Sequence, residues 1–164
     1  MVEEISKNTY LYVSSWRKNG GDCGLSGYRF DTETGKLQWI ETVEKDVAFH
    51  VTYFDQTRCL LYALEENDNL PGLRGGGGGR IFVFRIHSEK GTLTKICCKE
   101  TWCSSPSYLT LDESGEFLIV SHHGSKAAVT KIGRDAYGNY YPVVERDDVA
   151  VELFSIREDG TLDQ

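Results

Sequence analysis

The chain has 164 residues and a formal net charge of -7, from 18 Lys and Arg against 25 Asp and Glu. The basic residues are scattered, so the composition argues against a nucleic acid or an anionic membrane surface as the partner. No apolar run reaches the about 18 residues that span a bilayer, and the acidic start at 1–4 is unlike a signal peptide. The five cysteines contain no C-x-x-C pair, which predicts reduced thiols and a cytoplasmic protein.

The predicted elements begin with a strand at 10–15, whose apolar phrase recurs around Tyr62 and, 57 positions later, around Ile119. A second phrase, an apolar strand followed by a glycine turn, recurs at Gly35, Gly91 and Gly160, which are 56 and 69 positions apart. Repetition on this scale is the sequence signature of a repeat architecture. No long stretch shows an apolar period near 3.6 residues, so no helix is predicted.

Each repeat contains about four short strands. Residues 82–86 are aromatic and β-branched, break at 88–91 and resume at 93–97, which predicts a hairpin. Residues 108–111 alternate, turn at 112–115 and lead into the apolar run 117–120. A four-stranded unit of this length favours a β-propeller blade.

The predicted fold is therefore all-β, a partial β-propeller of about two and a half four-stranded antiparallel blades in one incomplete domain spanning 1–164. The predicted blades cover about 10–64, about 80–121 and, for the start of the third, about 125–164. Closed propellers need roughly 4–8 blades. We therefore expect that the chain is a fragment or that partners complete the ring, and that open blade edges promote self-association.

Two connecting segments are unusual. Residues 67–79 end in five glycines, Gly75 to Gly79, for which a flexible connector and an anion cradle are the alternatives. The Lys-Ser/Thr of a Walker loop is missing and a strand follows, which favours the connector. Residues 130–148 lengthen the third repeat, and 135–139 predict a hairpin tip. Its three tyrosines, at 137, 140 and 141, could pack on a neighbouring blade or contact a ligand.

The strongest site signal comes from the ends of the three strands that carry the apolar phrase. Each strand turns polar as it ends, and equivalent positions in a ring point towards one channel. The candidate ligand contacts are Trp16, Arg17, Glu66, His122 and His123.

Structural roles are the alternatives for the histidines and for Glu66. Adjacent strand residues point to opposite faces, so at most one of His122 and His123 faces the channel, and simple hydrogen-bonded packing is the alternative. A zinc site would need further ligands from other blades, so no metal is predicted. Glu66 is either a general acid or sugar-hydroxyl acceptor, or a solvated loop carboxylate. His50 matches Tyr108 in the next repeat, which indicates a structural position.

The repeated phrases, taken in order, resemble the lactonase family of seven-bladed propellers, which includes bacterial 6-phosphogluconolactonase and fungal carboxy-muconate cyclase. The resemblance runs from about Tyr10 to Leu162 and rests on segments 30–37, 106–118 and 154–162. It implies an enzyme of sugar-acid and pentose phosphate metabolism that hydrolyses a lactone ring, such as that of 6-phosphogluconolactone, without a metal or other cofactor. A small-molecule lactone or sugar phosphate is then the partner of the full-length form.

The family's candidate His, Arg and Glu lie on blades after the third, and Tyr108 stands where its catalytic unit has His. No catalytic residue is therefore assigned, and we expect the 164-residue chain to lack lactonase activity alone. The alternative is a non-catalytic propeller that binds a ligand or a protein, because a fold does not fix a function.

Overall fold

The computed structural model describes residues 8–15, 23–67, 78–124, 128–146 and 149–163. These residues form thirteen β-strands and no helix. The strands are β1 (Thr9–Ser15), β2 (Gly24–Phe30), β3 (Leu37–Val43), β4 (Phe49–Asp55), β5 (Leu60–Glu65), β6 (Arg80–His87), β7 (Thr92–Glu100), β8 (Pro106–Leu111), β9 (Phe117–His122), β10 (Ala128–Arg134), β11 (Tyr140–Arg146), β12 (Val151–Ile156) and β13 (Leu162–Asp163).

Eleven of the strands group into three antiparallel sheets that we call blade 1, blade 2 and blade 3, and the other two form a separate sheet. Blade 1 has the order β1-β2-β3, blade 2 the order β4-β5-β6-β7, and blade 3 the order β13-β12-β9-β8. Blades 2 and 3 thus have four strands each, as the repeat predicted. The all-β fold of antiparallel propeller blades is confirmed.

The sheets divide the chain at points that differ from the predicted blade bounds. Their strands span 9–43, 49–100 and 106–163, whereas the first predicted blade ran to 64. The reason is that β4 pairs with β5 through the turn at 56–59, and β8 pairs with β9 in the same way. The repeated apolar phrase therefore occupies the second strand of blades 2 and 3.

Blade 2 is buried on both faces. One face contributes Leu61, Ala63, Phe82 and Phe84 to a cluster that includes Leu25 of blade 1. The opposite face contributes Leu60, Tyr62, Leu64, Ile81 and Val83 to a second cluster with Leu109, Leu118, Val120 and Phe154 of blade 3. Because the pleat sends alternate side chains to opposite faces, a strand covered on both sides is apolar throughout. β5 and β6 fit this pattern.

Strands β10 and β11 form a separate hairpin between β9 and β12. Asp135 caps its turn by accepting hydrogen bonds from the backbone N–H groups of Tyr137 and Asn139, which confirms the predicted tip. Ile132, Tyr137 and Tyr140 are strongly exposed, so packing of these tyrosines on a neighbouring blade is not seen among the described residues. The guanidinium of Arg134 lies over the ring of Tyr140.

Candidate functional site

The candidate site begins with two β-bulges at equivalent places in blades 2 and 3. Phe49 pairs with Glu65 and Val51 with Leu64, so His50 is the extra residue of β4. In β8, Pro106 pairs with His122 and Tyr108 with Ser121, so Ser107 is the extra residue there. His50 therefore corresponds to Ser107, and the prediction that it corresponds to Tyr108 is wrong. A bulge re-aims its side chain, and bulges are common beside active sites.

The bulge brings His50 beside Glu66, the first residue after β5. Oε2 of Glu66 forms a short contact with Nδ1 of His50, and Oε1 lies 3.4 Å from Nε2 of His123. Glu66 is mostly shielded, with a side-chain exposure of 16%, whereas the two histidines are about half exposed at 43% and 52%. One carboxylate thus lies between two imidazoles, contributed by two neighbouring blades.

His122 lies away from this cluster. Its side chain is fully buried, and neither ring nitrogen has a hydrogen-bond partner among the described residues. Its Nε2 is 3.8 Å from Oε1 of Glu152, which also accepts hydrogen bonds from the backbone N–H groups of Trp102 and Cys103. The strand pleat separates His122 from His123, as the alternation of side chains requires.

An ion pair at the residue before Glu66 stabilises the strand end next to the cluster. Glu65 is buried, and Arg80, the first residue of β6, donates two hydrogen bonds to its carboxylate. The hydrogen bond to Glu65 raises the pKa of the Arg80 guanidinium further above its usual value. Because Glu65 is engaged by Arg80, its charge is compensated, and Glu66 is left facing the histidines.

Gly79 fits tightly against the same strand end. A Cβ atom at this position would lie 1.7 Å from the carbonyl oxygen of Glu65, so the backbones approach more closely than any side chain allows. The last glycine of the run is therefore required by packing, which supports the connector interpretation at this residue. Residues 68–77, including Gly75 to Gly77, lie outside the described residues.

The structure brings together two of the five predicted contacts. Glu66 and His123 meet, His122 is separately buried, and Trp16 and Arg17 lie outside the described residues. Sequence reasoning gave His50 a structural role and missed its place in the cluster. The only available signal was a histidine on the strand before a Glu-Glu pair, and the bulge that aligns them has no fixed sequence pattern.

Within the described ranges, no group of three or more His, Cys, Asp or Glu side chains has the geometry to hold a metal ion. Cys59, Cys97 and Cys98 are free thiols. No helix of the described chain is long and apolar enough to cross a membrane. Among the described residues, Glu66 forms ion pairs only with the two histidines.

Stacked antiparallel blades with polar residues gathered where the strands end define a protein of the β-propeller class. Residues 10–162 match the family model described as Lactonase, 7-bladed beta-propeller. The chain therefore belongs to the lactonase family of seven-bladed β-propellers.

Individual relatives are distant. The chain is 24% identical over 113 residues to a 6-phosphogluconolactonase of Formosa agariphila, which covers 69% of this chain and 30% of that protein. A solved structure of Bacteroides fragilis, described as a 6-phosphogluconolactonase, superposes with a TM-score of 0.65 at 20% identity, covering 96% of this chain and 35% of that one. The periplasmic gluconolactonase PpgL of Pseudomonas aeruginosa superposes with a TM-score of 0.62 at 21% identity, over 94% and 36% of the two chains. The chain thus spans about a third of the length of these relatives.

Proposed function

We propose that this chain serves the hydrolysis of a sugar-acid lactone of the 6-phosphogluconolactone type, with Glu66 as the general base. The observation that carries the proposal is the position of Glu66 between His50 and His123, at the strand ends of two adjacent blades. The family membership and the names of the relatives supply the substrate class.

The chemistry of this cluster suits ester hydrolysis. Glu66 accepts a proton from a water molecule whose oxygen attacks the lactone carbonyl carbon. The ring C–O bond then breaks, the ring oxygen takes up that proton to become a hydroxyl group, and the new carboxylic acid releases its remaining proton to solvent as a carboxylate. Two flanking imidazoles hold the carboxylate in position and offer a route by which the proton returns to the leaving oxygen. No metal or other cofactor takes part in this scheme.

Among the described residues, Glu66 pairs with two histidines but with no Lys or Arg side chain. A lactone oxyanion and a phosphate both require positively charged or N–H donors in the transition state. Arg80, the arginine close to the cluster, is already bound to Glu65. We therefore propose that the 164-residue chain binds sugar-acid ligands weakly and does not turn them over alone. A reducing, cytoplasmic location also belongs to this proposal, and the free thiols of Cys59, Cys97 and Cys98 support it.

The test is a titration of the purified chain with 6-phosphogluconate, the reaction product, followed by NMR of the four histidine side chains. We expect the signals of His50 and His123 to shift together, while that of His87, which bonds to Thr94, stays unchanged. Glu66→Gln should abolish the shifts, and the matched exposed substitution Glu113→Gln should leave them intact. Equal shifts at His87, or none at His50 and His123, would refute the proposed site.

A turnover assay with 6-phosphogluconolactone separates the two parts of the proposal. Hydrolysis at the buffer rate together with ligand-induced shifts agrees with both parts. Hydrolysis above the buffer rate that disappears in Glu66→Gln would support the base and contradict the inactivity of the chain. Binding of 6-phosphogluconate no tighter than binding of unrelated anions would favour the non-catalytic alternative.

A further inference from the structure

Residues 101–105, here called the junction segment, link β7 of blade 2 to β8 of blade 3 and end beside the Glu66 cluster. Ser105, the last residue of the segment, is buried, with 4% of its surface exposed. Its backbone N–H donates to the carbonyl oxygen of Asn67, the residue after Glu66, at 3.1 Å, and its own carbonyl oxygen accepts from the N–H of His123 at 3.2 Å. Ser105 thus joins the residue that follows Glu66 in blade 2 directly to His123 in blade 3.

The backbone of Ser105 takes a conformation that the sequence disfavours. Its φ is +53°, in the left-handed region that a residue with a Cβ atom rarely adopts. It also precedes Pro106, and a residue before proline is normally extended. Ala48 holds the corresponding place before β4 of blade 2, and its φ is not left-handed, so the repeat itself does not require this conformation. Strained backbone of this kind occurs at functional sites, where the surrounding structure imposes it.

Hydrogen bonds hold the start of the junction segment. Thr101 is fully buried and donates both its backbone N–H and its hydroxyl group to the carbonyl oxygen of Gly79, at 2.9 and 3.1 Å. Oε1 of Glu152 accepts the N–H groups of Trp102 and Cys103 at 2.7 and 3.1 Å, and hydrogen bonds to a carboxylate are stronger than those to a neutral acceptor. Residues 101–103 are therefore held in place, which limits the conformations open to Ser105.

The described end of the glycine run packs against the same segment. A Cβ atom at Gly78 would lie 2.0 Å from the carbonyl oxygen of Cys103, and one at Gly79 would lie 1.7 Å from that of Glu65. Neither glycine has room for a side chain between the junction segment and the end of β5. Because the two residues are glycines, the junction segment can approach the strand end from which Glu66 projects.

We infer that Ser105 is a positioning residue of the candidate site, and that its left-handed backbone sets the 3.4 Å separation between Oε1 of Glu66 and Nε2 of His123. Glu66 follows β5 and His123 follows β9, which lie in different sheets, so no strand pairing fixes their separation. Ser105 supplies that link with one hydrogen bond to each side. Because φ sets the direction of the N–H group relative to the carbonyl group, an extended Ser105 would not keep both bonds. The consequence for catalysis rests on the proposed function, in which His123 helps to hold the general base.

Scalar couplings across hydrogen bonds, measured by NMR on the isotope-labelled wild-type chain, test the link directly. We expect one coupling between the N–H of His123 and the carbonyl carbon of Ser105, and another between the N–H of Ser105 and the carbonyl carbon of Asn67. The bond from the N–H of Gly115 to the carbonyl oxygen of Asp112, also 3.1 Å long, is the matched reference. Detection of the reference coupling without both of the other two would overturn the inference.

Two substitutions at Ser105 separate the backbone conformation from the side chain. Ser105→Gly removes the hydroxyl group but accepts the left-handed φ, whereas Ser105→Val introduces a β-branched side chain that disfavours it. Each is combined with Glu66→Gln, and the imidazole signals of His50 and His123 are recorded without ligand. In the wild-type background, Glu66→Gln should shift both signals, because both rings contact this carboxylate. Ser105→Gly should keep both responses, and Ser105→Val should lose only the response of His123, since His50 contacts Glu66 within blade 2.

The selective loss distinguishes positioning from general support of the fold. A His123 response that survives Ser105→Val, or one that is lost in Ser105→Gly as well, would overturn the inference. Loss of the His50 and His123 responses together in Ser105→Val would also overturn it, because the disturbance would then extend beyond the contact between the blades.

Titration with 6-phosphogluconate separates this inference from the proposed function. If the ligand shifts neither His50 nor His123 in the wild type, the proposed function fails, while the couplings and the Glu66→Gln responses still decide the role of Ser105. If the ligand does shift both signals, Ser105→Val should lose the shift of His123 and Ser105→Gly should retain it. A ligand-induced shift of His123 that is unchanged in Ser105→Val would contradict the positioning role and leave the proposed function standing.

Discussion

Glu65 and Arg80 form a two-pronged ion pair that ties the end of β5 to the start of β6. Nε and Nη2 of Arg80 donate to the two carboxylate oxygens of Glu65 at 2.6 and 2.9 Å. The guanidinium also lies 5.0 Å from the centre of the Phe82 ring. Paired, planar recognition of this kind is specific to arginine. It fixes the strand end from which Glu66 projects towards His50 and His123.

Removing one partner of this pair should destabilise the fold. Glu65→Gln leaves a partly buried guanidinium without its counter-charge, which typically costs about 2 kcal/mol of unfolding free energy. Arg80→Lys keeps the charge but loses one of the two hydrogen bonds, for an expected loss of about 1.5 kcal/mol. Urea unfolding measures both. The exposed pair of Lys131 and Glu145 supplies the control, since Glu145→Gln should cost less than about 1 kcal/mol. Equal effects in all three variants would contradict the expectation.

Gly160 of blade 3 packs against Leu60 of blade 2 in a space that has no room for a Cβ atom. Its φ is +86°, and a Cβ atom there would lie 1.9 Å from Cδ1 of Leu60. Gly35 has a similar φ of +71° with no atom within 4 Å of such a Cβ, so Gly35→Ala isolates the backbone strain. That strain is about 1–2 kcal/mol. Gly160→Ala should lose at least about 1 kcal/mol more in urea unfolding, because overpacking adds to the strain. Losses of the same size would show that blade 3 shifts freely.

Phe84 is expected to contribute strongly to the interface between blades 1 and 2. It is 1% exposed and lies with its ring centre 6.2 Å from those of Phe49 and Phe82. Phe84→Ala should lower the unfolding free energy by about 3–5 kcal/mol. Phe54 offers the matched control, because it is 51% exposed on β4 of the same blade and its truncation should cost less than about 1 kcal/mol. A small effect at Phe84 would show that blades 1 and 2 unfold separately.

Tyr62 should make stability fall at alkaline pH. Burial, with a smaller contribution from the charge of Asp55, raises the pKa of its hydroxyl from 10.0 to about 12. The folded state thus favours the neutral phenol, so this stability is complete below pH 10 and is lost as the pH rises towards 12. Unfolding measured across this range should show a steep loss in the wild type and a shallower one in Tyr62→Phe.

Tyr12 contributes to the same loss of stability at alkaline pH. Its pKa is also raised to about 12, mainly by burial, so Tyr62→Phe keeps part of the alkaline loss. The double variant Tyr12→Phe/Tyr62→Phe should be flattest. Near neutral pH, Tyr62→Phe should cost only about 1 kcal/mol, since it loses one hydrogen bond to the carbonyl of Gly160. Identical alkaline slopes in the wild type and the double variant would contradict this assignment.

The fold was predictable because the repeat leaves its mark on many residues at once. The phrases around Tyr62 and Ile119 indicated strands that the structure confirms as β5 and β9. The grouping of strands into sheets was harder to predict from the sequence. The strand before each repeated phrase and the strand after it have similar patterns, so either could begin the blade. At the site, the polar strand ends drew attention to Glu66 and His123, which lie 3.4 Å apart, and their role as ligand contacts stays a prediction. The place of His50 depended on a one-residue bulge, which shifts every later residue to the opposite face and leaves the local composition unchanged.

The strand order of blade 2 has a kinetic consequence. β4 to β7 pair in the order in which they occur along the chain, so each strand can dock on its predecessor as soon as it is made. In blade 3, the β10–β11 hairpin separates Ser121 from its partner Val151 by 30 positions, against 17 between Leu64 and Ile81. This is less than one doubling of loop length, and a doubling costs about 0.6 kcal/mol in closure entropy. Blade 2 should therefore form before blade 3 and serve as the template on which blade 3 assembles.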